Sequence, residues 1–271
     1  MIKFDIRSKS KEIRLSILDA VYHSGKGHIG SAFSCTDILI ALYYGNNLKF
    51  DPDNPTWKDR DRFILSKGHA AVALYAILSD LGYFNELELK SFNNGGILGE
   101  HPDINIPGIE INSGSLGHGL GVASGIALAS KLDEKNYRTF VLLGDGECYE
   151  GSVWEAAMFA AHHSLENLIA IIDRNGLCIH GNTENINQLN PLERKFESFG
   201  WSVETVDGHN INKIISALNN NGNDKPKMII ANTIKGKGVS FMENIASWHH
   251  GEISNQLYIK AKTELLNKYN S

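Results

Sequence analysis

Short apolar runs alternate along the chain with longer stretches in which apolar residues recur at helical spacing. In the middle, Thr139 to Leu143 and Leu168 to Ile172 form continuous apolar and β-branched runs, which is typical of parallel strands buried on both faces. Between them, the apolar residues of Gly151 to Ser164 fall on one narrow helical face. We therefore predict a right-handed βαβ unit at the centre of the chain.

The same patterns predict further elements on both sides of this unit. They are helices at 10–23, 35–44, 115–132, 191–199, 211–219 and 255–269, a helix opened by residues 65–70, and strands at 62–65, 201–206 and 227–232. Loops are predicted at 85–113 and 176–190, and a flexible loop at 233–241. Strands and helices that alternate in this way predict an α/β fold with an open, mainly parallel sheet and helices on both faces.

Composition narrows the class of protein. No repeat or linker divides the 271 residues, so one large domain over 1–271 is expected. A formal net charge of −5 and scattered basic residues give no sign of a nucleic-acid or membrane partner. The three cysteines form no CxxC pair, which favours packing roles in a reducing compartment. The N-terminal residues lack the apolar core of a signal peptide, so we expect a cytoplasmic protein.

Residues that could bind a metal ion or a phosphate follow each apolar run of the central unit. Gly144, Asp145 and Gly146 come after the first run, and Asn175 comes after the second. Ligands of open parallel sheets collect beyond the carboxyl ends of the strands. Glycine lets the backbone approach a phosphate, while Asp145 and Asn175 offer hard oxygens that suit Mg²⁺. The sequence predicts a metal and diphosphate site here, for which two side chains and one carbonyl suffice.

A second glycine pattern allows another interpretation. Gly25, Gly27 and Gly30 satisfy GxGxxG, the fingerprint of dinucleotide-binding proteins. That fingerprint needs a preceding strand, and this stretch follows a predicted helix, so we reject a dinucleotide site.

The residues that follow the two central strands belong to a longer motif: GDG at 144–146, EG at 150–151, WEA at 154–156, NL at 167–168 and DxN at 173–175. This motif resembles the thiamine diphosphate motif in the form that transketolases carry. The resemblance runs from about residue 12 to residue 250 and includes GKGHIGSAFSCTDIL, LSKGHAA, GEHPD, SGSLGHGLGVA, FGWSVETVDGHN, KGKGVSF and WHHG. These stretches match the diphosphate-binding portion of the family, its N-terminal third.

The resemblance implies which residues hold the cofactor and its metal. Thiamine diphosphate is the expected cofactor, with Mg²⁺, or Ca²⁺ or Mn²⁺ in its place. Asp145, Asn175 and the carbonyl of Leu177 match the family's metal ligands. The implied cofactor contacts are His69, Gly114, Leu116, Gly146, Glu150, Asn175 and His249.

The resemblance also implies which residues take part in catalysis. They are His28, His69, His101 and His249, which match histidines of the substrate channel, and Glu150 and Glu155, which match acidic residues at a subunit interface. Imidazoles suit the proton transfers of ketol transfer near pH 7.

Several histidines fall outside this set or depart from the family pattern. His250 adjoins His249, and the sequence leaves open which of the two belongs to the site; we prefer His249 because it follows Trp248. His118 stands where many relatives carry glutamine. The remaining candidates are interpreted as structural: His162, His163, His180 and His209.

The expected function is that of the N-terminal subunit of a split transketolase. It would act on sugar phosphates only with a C-terminal subunit that carries the pyrimidine-binding domain, as a heterotetramer, because the pyrimidine-binding and C-terminal domains have no counterpart here. One alternative is a ketol transferase for an unusual sugar. A non-catalytic cofactor-binding or regulatory subunit is less favoured, because Asp145, Asn175 and the histidines are all present.

Overall fold

The computed structural model describes residues 6–220 and 224–268. The helices are α1 (Ile6–Ser24), α2 (Ile29–Tyr43), α3 (Ala71–Asp80), α4 (Glu86–Lys90), α5 (Gly119–Leu132), α6 (Gly151–His162), α7 (Thr183–Ile186), α8 (Leu192–Ser198), α9 (Ile211–Asn219) and α10 (Asn255–Lys268). The strands are β1 (Arg62–Leu65), β2 (Thr139–Gly144), β3 (Leu168–Arg174), β4 (Leu177–Cys178), β5 (Gly181–Asn182), β6 (Ser202–Asp207) and β7 (Lys227–Asn232). No helix within the described ranges is both long and apolar enough to span a bilayer.

Five strands form one parallel sheet in the order β1-β2-β3-β7-β6. At its centre, Leu142 of β2 pairs with Ile171 of β3, which pairs in turn with Ile229 of β7. β2, α6 and β3 make up the βαβ unit expected from the apolar runs. The predicted α/β fold with a mainly parallel sheet is confirmed.

Alternate residues of each strand enter two hydrophobic layers, one on each face of the sheet. Phe140 and Leu142 pack with α1, α2, α3, α9 and α10, whereas Val141 and Leu143 pack with α5, α6 and α8. All four side chains are fully buried, and each such burial contributes about 1.5–3 kcal/mol. Because both faces of β2 are buried, its sequence is a continuous apolar run rather than an alternating one.

Two helix starts differ from the sequence prediction. α2 begins at Ile29 rather than residue 35, because its first residues, although small and partly polar, are all buried. α5 begins at Gly119 rather than residue 115. The backbone N–H of Gly117 donates instead to Oε1 of Glu147 at 2.8 Å, which holds the preceding residues in a turn.

The predicted loops contain more structure than their polar composition suggests. Residues 176–190 include the β4–β5 hairpin and α7, and residues 85–113 include α4. The predicted flexible loop at 233–241 is packed into the protein, with Lys235 and Val239 both buried. The predicted end of the C-terminal helix, Tyr269, lies outside the described residues.

A series of buried hydrogen bonds fixes residues 233–241 against α1 and α2. Arg14 donates from Nη2 to Asp37 at 2.8 Å, and Nδ1 of His209 donates to the same carboxylate at 2.8 Å. The other nitrogen of His209 accepts the backbone N–H of Ile234 at 2.8 Å. Arg14 and His209 also hold the pKa of Asp37 well below its usual range despite its burial. His209 therefore anchors the segment that brings Lys235 to the end of the sheet.

Candidate active site

A cavity of about 460 Å³ opens beyond the carboxyl ends of the parallel strands. Ligands of open parallel sheets collect at this edge. The segments after β1, β2, β3 and β7 supply much of its lining: Lys67 and His69, Asp145 and Gly146, Asn175 and Leu177, and Lys235. The βα connections thus bring residues that are far apart in the chain into one pocket.

Hard oxygen atoms gather on one wall of this cavity. Asp145 accepts hydrogen bonds from the backbone N–H groups of Gly146 at 2.8 Å and Gly176 at 2.6 Å, and from Arg174 at 3.1 Å. Burial, with nearby negative charge, raises the pKa of Asp145. Asn175 accepts the N–H of Leu177 at 3.0 Å. A buried carboxylate beside amide and carbonyl oxygens is a donor set that fits Mg²⁺.

The other carboxylate of the central unit, Asp173, is fully buried beneath this wall. It accepts hydrogen bonds from Lys67, Ser34 and Thr233. Although burial opposes ionisation, Lys67 and the hydroxyl donors hold the pKa of Asp173 below its usual value. Asn175 Nδ2 lies 3.4 Å from the same carboxylate. Asp173 therefore supports the site from below and does not line the cavity.

Four histidines also line the cavity. The ring of His28 lies 5.3 Å from those of His69 and His249 and 6.3 Å from that of His101, measured between centroids. Burial lowers the pKa of His28 to about 4 and that of His249 to about 3, and places that of His69 well below its ordinary value. These three imidazoles are consequently neutral at physiological pH, and each can accept a proton or donate one from its N–H.

Close backbone approaches bring the histidines together. A Cβ atom on Gly30, in the first turn of α2, would lie 2.5 Å from the carbonyl oxygen of Trp248. Glycine therefore allows the turn that carries His249 to touch the helix that follows His28. Gly114 has φ +137°, and a Cβ there would lie 2.9 Å from the ring of His101.

The family model for the thiamine diphosphate binding domain of transketolase matches residues 7–266. The chain belongs to the transketolase family. The resemblance of its motifs to those of transketolases is thereby confirmed, and the fold is a transketolase-type thiamine diphosphate-binding domain.

Individual transketolases differ in how much of their own length this chain covers. An apulose-4-phosphate transketolase subunit of Phocaeicola vulgatus is 43% identical, over 95% of this chain and 92% of the relative. A 6-deoxy-6-sulfo-D-fructose transketolase subunit of Clostridium sp. is 42% identical over 97% of both. The crystal structure of transketolase from Campylobacter jejuni superposes with a TM-score of 0.90 at 33% identity and covers 97% of this chain. This chain covers 43% of that transketolase.

The site residues expected from the transketolase resemblance lie together, with one exception. Those that line the cavity are His28, His69, His101, Gly114, Leu116, Asp145, Gly146, Glu150, Asn175, Leu177 and His249. Glu155 is not among the described lining residues; it is exposed on α6, five residues after Glu150, which precedes that helix.

The remaining histidines of this transketolase domain occupy different surroundings. His250 is exposed and pairs with Glu100 at 2.8 Å outside the cavity lining, whereas its neighbour His249 faces the cavity. His180, interpreted from sequence as structural, is exposed and lines the cavity. His118 is an exposed residue at the start of α5.

Three buried charged residues at the cavity were not anticipated from the sequence. Lys67 and Lys235 line the cavity; Nζ of Lys235 lies 3.5 Å from the carbonyl oxygen of Leu177. Burial, with Lys67 nearby, lowers the pKa of Lys235 to about 8. Glu147 accepts from Ser66 and from the N–H groups of Gly117 and Gly144. Their position inside the LSKGH, KGKG and GDGE motifs was the available signal, since buried lysine and glutamate are otherwise rare.

Proposed function

We propose that this chain is the cofactor-binding subunit of a two-subunit transketolase, which transfers a two-carbon ketol unit between sugar phosphates. The observation that carries the proposal is the convergence of Asp145, Asn175 and four histidines on one cavity of a transketolase-type domain. Residues 1–271 would form a single diphosphate-binding domain around that cavity.

In this proposal, Asp145, Asn175 and the carbonyl of Leu177 hold Mg²⁺, for which Ca²⁺ or Mn²⁺ could substitute because both also bind oxygen ligands. Because Gly146 has no side chain, a diphosphate could approach its backbone closely. Lys235 supplies a buried positive charge beside these oxygens, which suits a cofactor with several negative charges.

Thiamine diphosphate, when bound, supplies the electron sink that carbon–carbon bond cleavage requires. The chain's own residues would exclude water from the cavity and move protons. His28, His69 and His249 are neutral and partly or wholly buried. They can therefore exchange protons with sugar hydroxyls without first losing one. His101 is exposed at the cavity, where an incoming sugar would meet it.

We further propose that a C-terminal transketolase subunit with the pyrimidine-binding domain covers the open side of the cavity, in a heterotetramer. Both relatives described above are named as subunits. On the outer side of α5 and α6, Val122, Met158 and Phe159 are 38%, 51% and 40% exposed. Exposed apolar side chains on two helices that pack together are typical of an interaction surface. Glu155 precedes Phe159 by four residues and so lies on the same side of α6, and the partner would bury it as well; Glu150, just before α6, lines the cavity that the partner would cover.

A transketolase dedicated to an unusual sugar is the second candidate. It is favoured by the two similar relatives, whose names specify apulose 4-phosphate and 6-deoxy-6-sulfo-D-fructose. Both candidates use the same cofactor site and differ only in the sugars. A non-catalytic cofactor-binding subunit is disfavoured by the intact set of histidines.

The experiment is a ketol-transfer assay of the chain mixed with its candidate partner, using a panel of phosphorylated, sulfonated and branched sugars. Transfer from pentose and hexose phosphates would support the general transketolase, and transfer confined to one unusual sugar would support the dedicated enzyme. Tight cofactor binding without transfer from any donor would contradict both.

A further inference from the structure

A second group of metal-type ligands lies at the mouth of the cavity. Oε1 of Glu100 is 2.8 Å from Nε2 of His250 and 3.2 Å from Nδ1 of His28. The three ligand atoms lie within 4.8 Å of one another, and the two imidazole rings are 4.5 Å apart, centroid to centroid. One nitrogen from each histidine and one carboxylate oxygen therefore face the same small volume.

One of these atoms lacks a hydrogen bond within the described part of the chain. Nδ1 of His28 is buried and has no hydrogen-bond partner of acceptable geometry among residues 6–220 and 224–268, although Glu100 lies 3.2 Å away. An unsatisfied buried nitrogen costs about 1–3 kcal/mol. The ring therefore presents an unused lone pair, or an unused N–H, toward Glu100 and His250.

We infer that His28, Glu100 and His250 bind Zn²⁺ at the mouth of the cavity, at a site separate from Asp145 and Asn175. Two imidazoles and one carboxylate are the ligand set of many zinc sites that keep a fourth position open. Imidazole nitrogen favours Zn²⁺ over Mg²⁺, whereas the all-oxygen wall of the cavity favours Mg²⁺.

The geometry accommodates the ion after small shifts. Ligand atoms about 2.0–2.1 Å from a tetrahedral zinc lie about 3.3 Å from one another, and two of the distances here are 2.8 and 3.2 Å. His250 is exposed, so its side chain is free to adjust.

Zinc at this site would occupy His28, a residue that the proposed function places in proton transfer. In the assembled enzyme, bound Zn²⁺ would therefore inhibit transfer. This consequence rests on the proposed function, whereas the binding itself does not.

The test measures metal binding to the full chain alone, without partner or sugar. Zn²⁺ is titrated calorimetrically, and Co²⁺ is followed by its visible absorption, in excess Mg²⁺ that saturates the oxygen site. We expect one equivalent to bind. Glu100→Gln and His250→Ala should each weaken Zn²⁺ binding by at least about tenfold, the effect of losing even a supporting residue of a metal site.

Two controls separate this site from others. His162→Ala removes an exposed histidine at the end of α6, and Asp145→Ala removes the expected Mg²⁺ ligand; neither should change the Zn²⁺ affinity. Unchanged affinity in both Glu100→Gln and His250→Ala would overturn the inference, as would loss of binding only in Asp145→Ala. Circular dichroism checks that each variant is folded. Because no turnover is measured, failure of the ketol-transfer proposal would leave this result unaffected.

Discussion

Nζ of Lys235 lies 2.9 Å from Nδ1 of His249, inside the cavity. Lys235 is the donor, because His249 is neutral with a pKa of about 3. The same ammonium lies 3.5 Å from the carbonyl oxygen of Leu177. One lysine therefore connects the histidine cluster with the oxygen wall and places a positive charge between them.

The first prediction is that cofactor affinity decreases as the pH rises through about 8. Burial lowers the pKa of Lys235 to about 8, so the cation that attracts a diphosphate is present below that pH and lost above it. Between pH 7 and 9, affinity should decrease by up to about tenfold, following the charged fraction. Lys235→Met should flatten this profile, whereas Lys237→Met, at a partly exposed neighbour, should preserve it. An unchanged profile in Lys235→Met would exclude this role.

The second prediction concerns the metal. Asp145→Ala removes the one charged side chain among the three expected ligands. It should nearly abolish Mg²⁺-dependent binding of thiamine diphosphate in the assembled enzyme, with the fold intact. Calorimetric titration measures the affinity, and Asp133→Ala, at an exposed residue after α5, is the control. Wild-type affinity in Asp145→Ala would refute the ligand assignment.

The sequence predicted the buried strands more accurately than it predicted the start of α2. The runs at 139–143 and 168–172 marked β2 and β3 correctly because burial on both faces removes polar residues. The start of α2 was missed because Ser31 and Ser34 resemble loop residues, yet both are buried. No local pattern separates a buried serine from an exposed one.

Residues that line the cavity were predictable from sequence where a motif contains them, as for Asp145 and His69, and contacts that depend on tertiary pairing were not. The partnership of Lys67 with Asp173 joins residues 106 positions apart, and that of Glu100 with His250 joins residues 150 apart. Neither pairing produces a local sequence pattern from which it could have been predicted.

The third prediction is that the cavity histidines act in turnover rather than in cofactor binding. His69→Ala or His101→Ala should lower kcat by roughly 10²-fold or more, the usual scale for a proton-transfer group, with a much smaller change in cofactor affinity. His162→Ala, exposed on α6, should retain wild-type activity. Equal losses of cofactor affinity and of kcat would make His69 and His101 structural instead.

The fourth prediction tests the buried pair beneath the site. Lys67→Met leaves the carboxylate of Asp173 buried without its cation and should lower the free energy of unfolding by about 3–5 kcal/mol. Adding Asp173→Asn should recover part of that loss. Lys90→Met, which breaks an exposed pair with Glu86, should change stability by less than about 0.5 kcal/mol. Urea denaturation measures all four proteins, and a Lys67→Met variant as stable as the wild type would contradict the role of this pair.

The fifth prediction locates the partner surface. Phe159→Glu introduces a charge on the exposed side of α6 and should prevent assembly with the C-terminal subunit, while the isolated chain stays folded. Ile259→Glu is the matched control, because Ile259 is 55% exposed on α10, at the opposite face of the sheet. Analytical ultracentrifugation of each mixture reports the assembly. Normal assembly of Phe159→Glu would place the partner elsewhere.

The most direct test of the proposed function is ketol-transfer activity measured for the chain alone and for the chain with its candidate partner, at saturating thiamine diphosphate and Mg²⁺. We predict no appreciable transfer from either polypeptide alone, transfer from the mixture, and loss of that transfer when the chain carries Asp145→Ala. Transfer by the isolated chain at the rate of the mixture would contradict the two-subunit account.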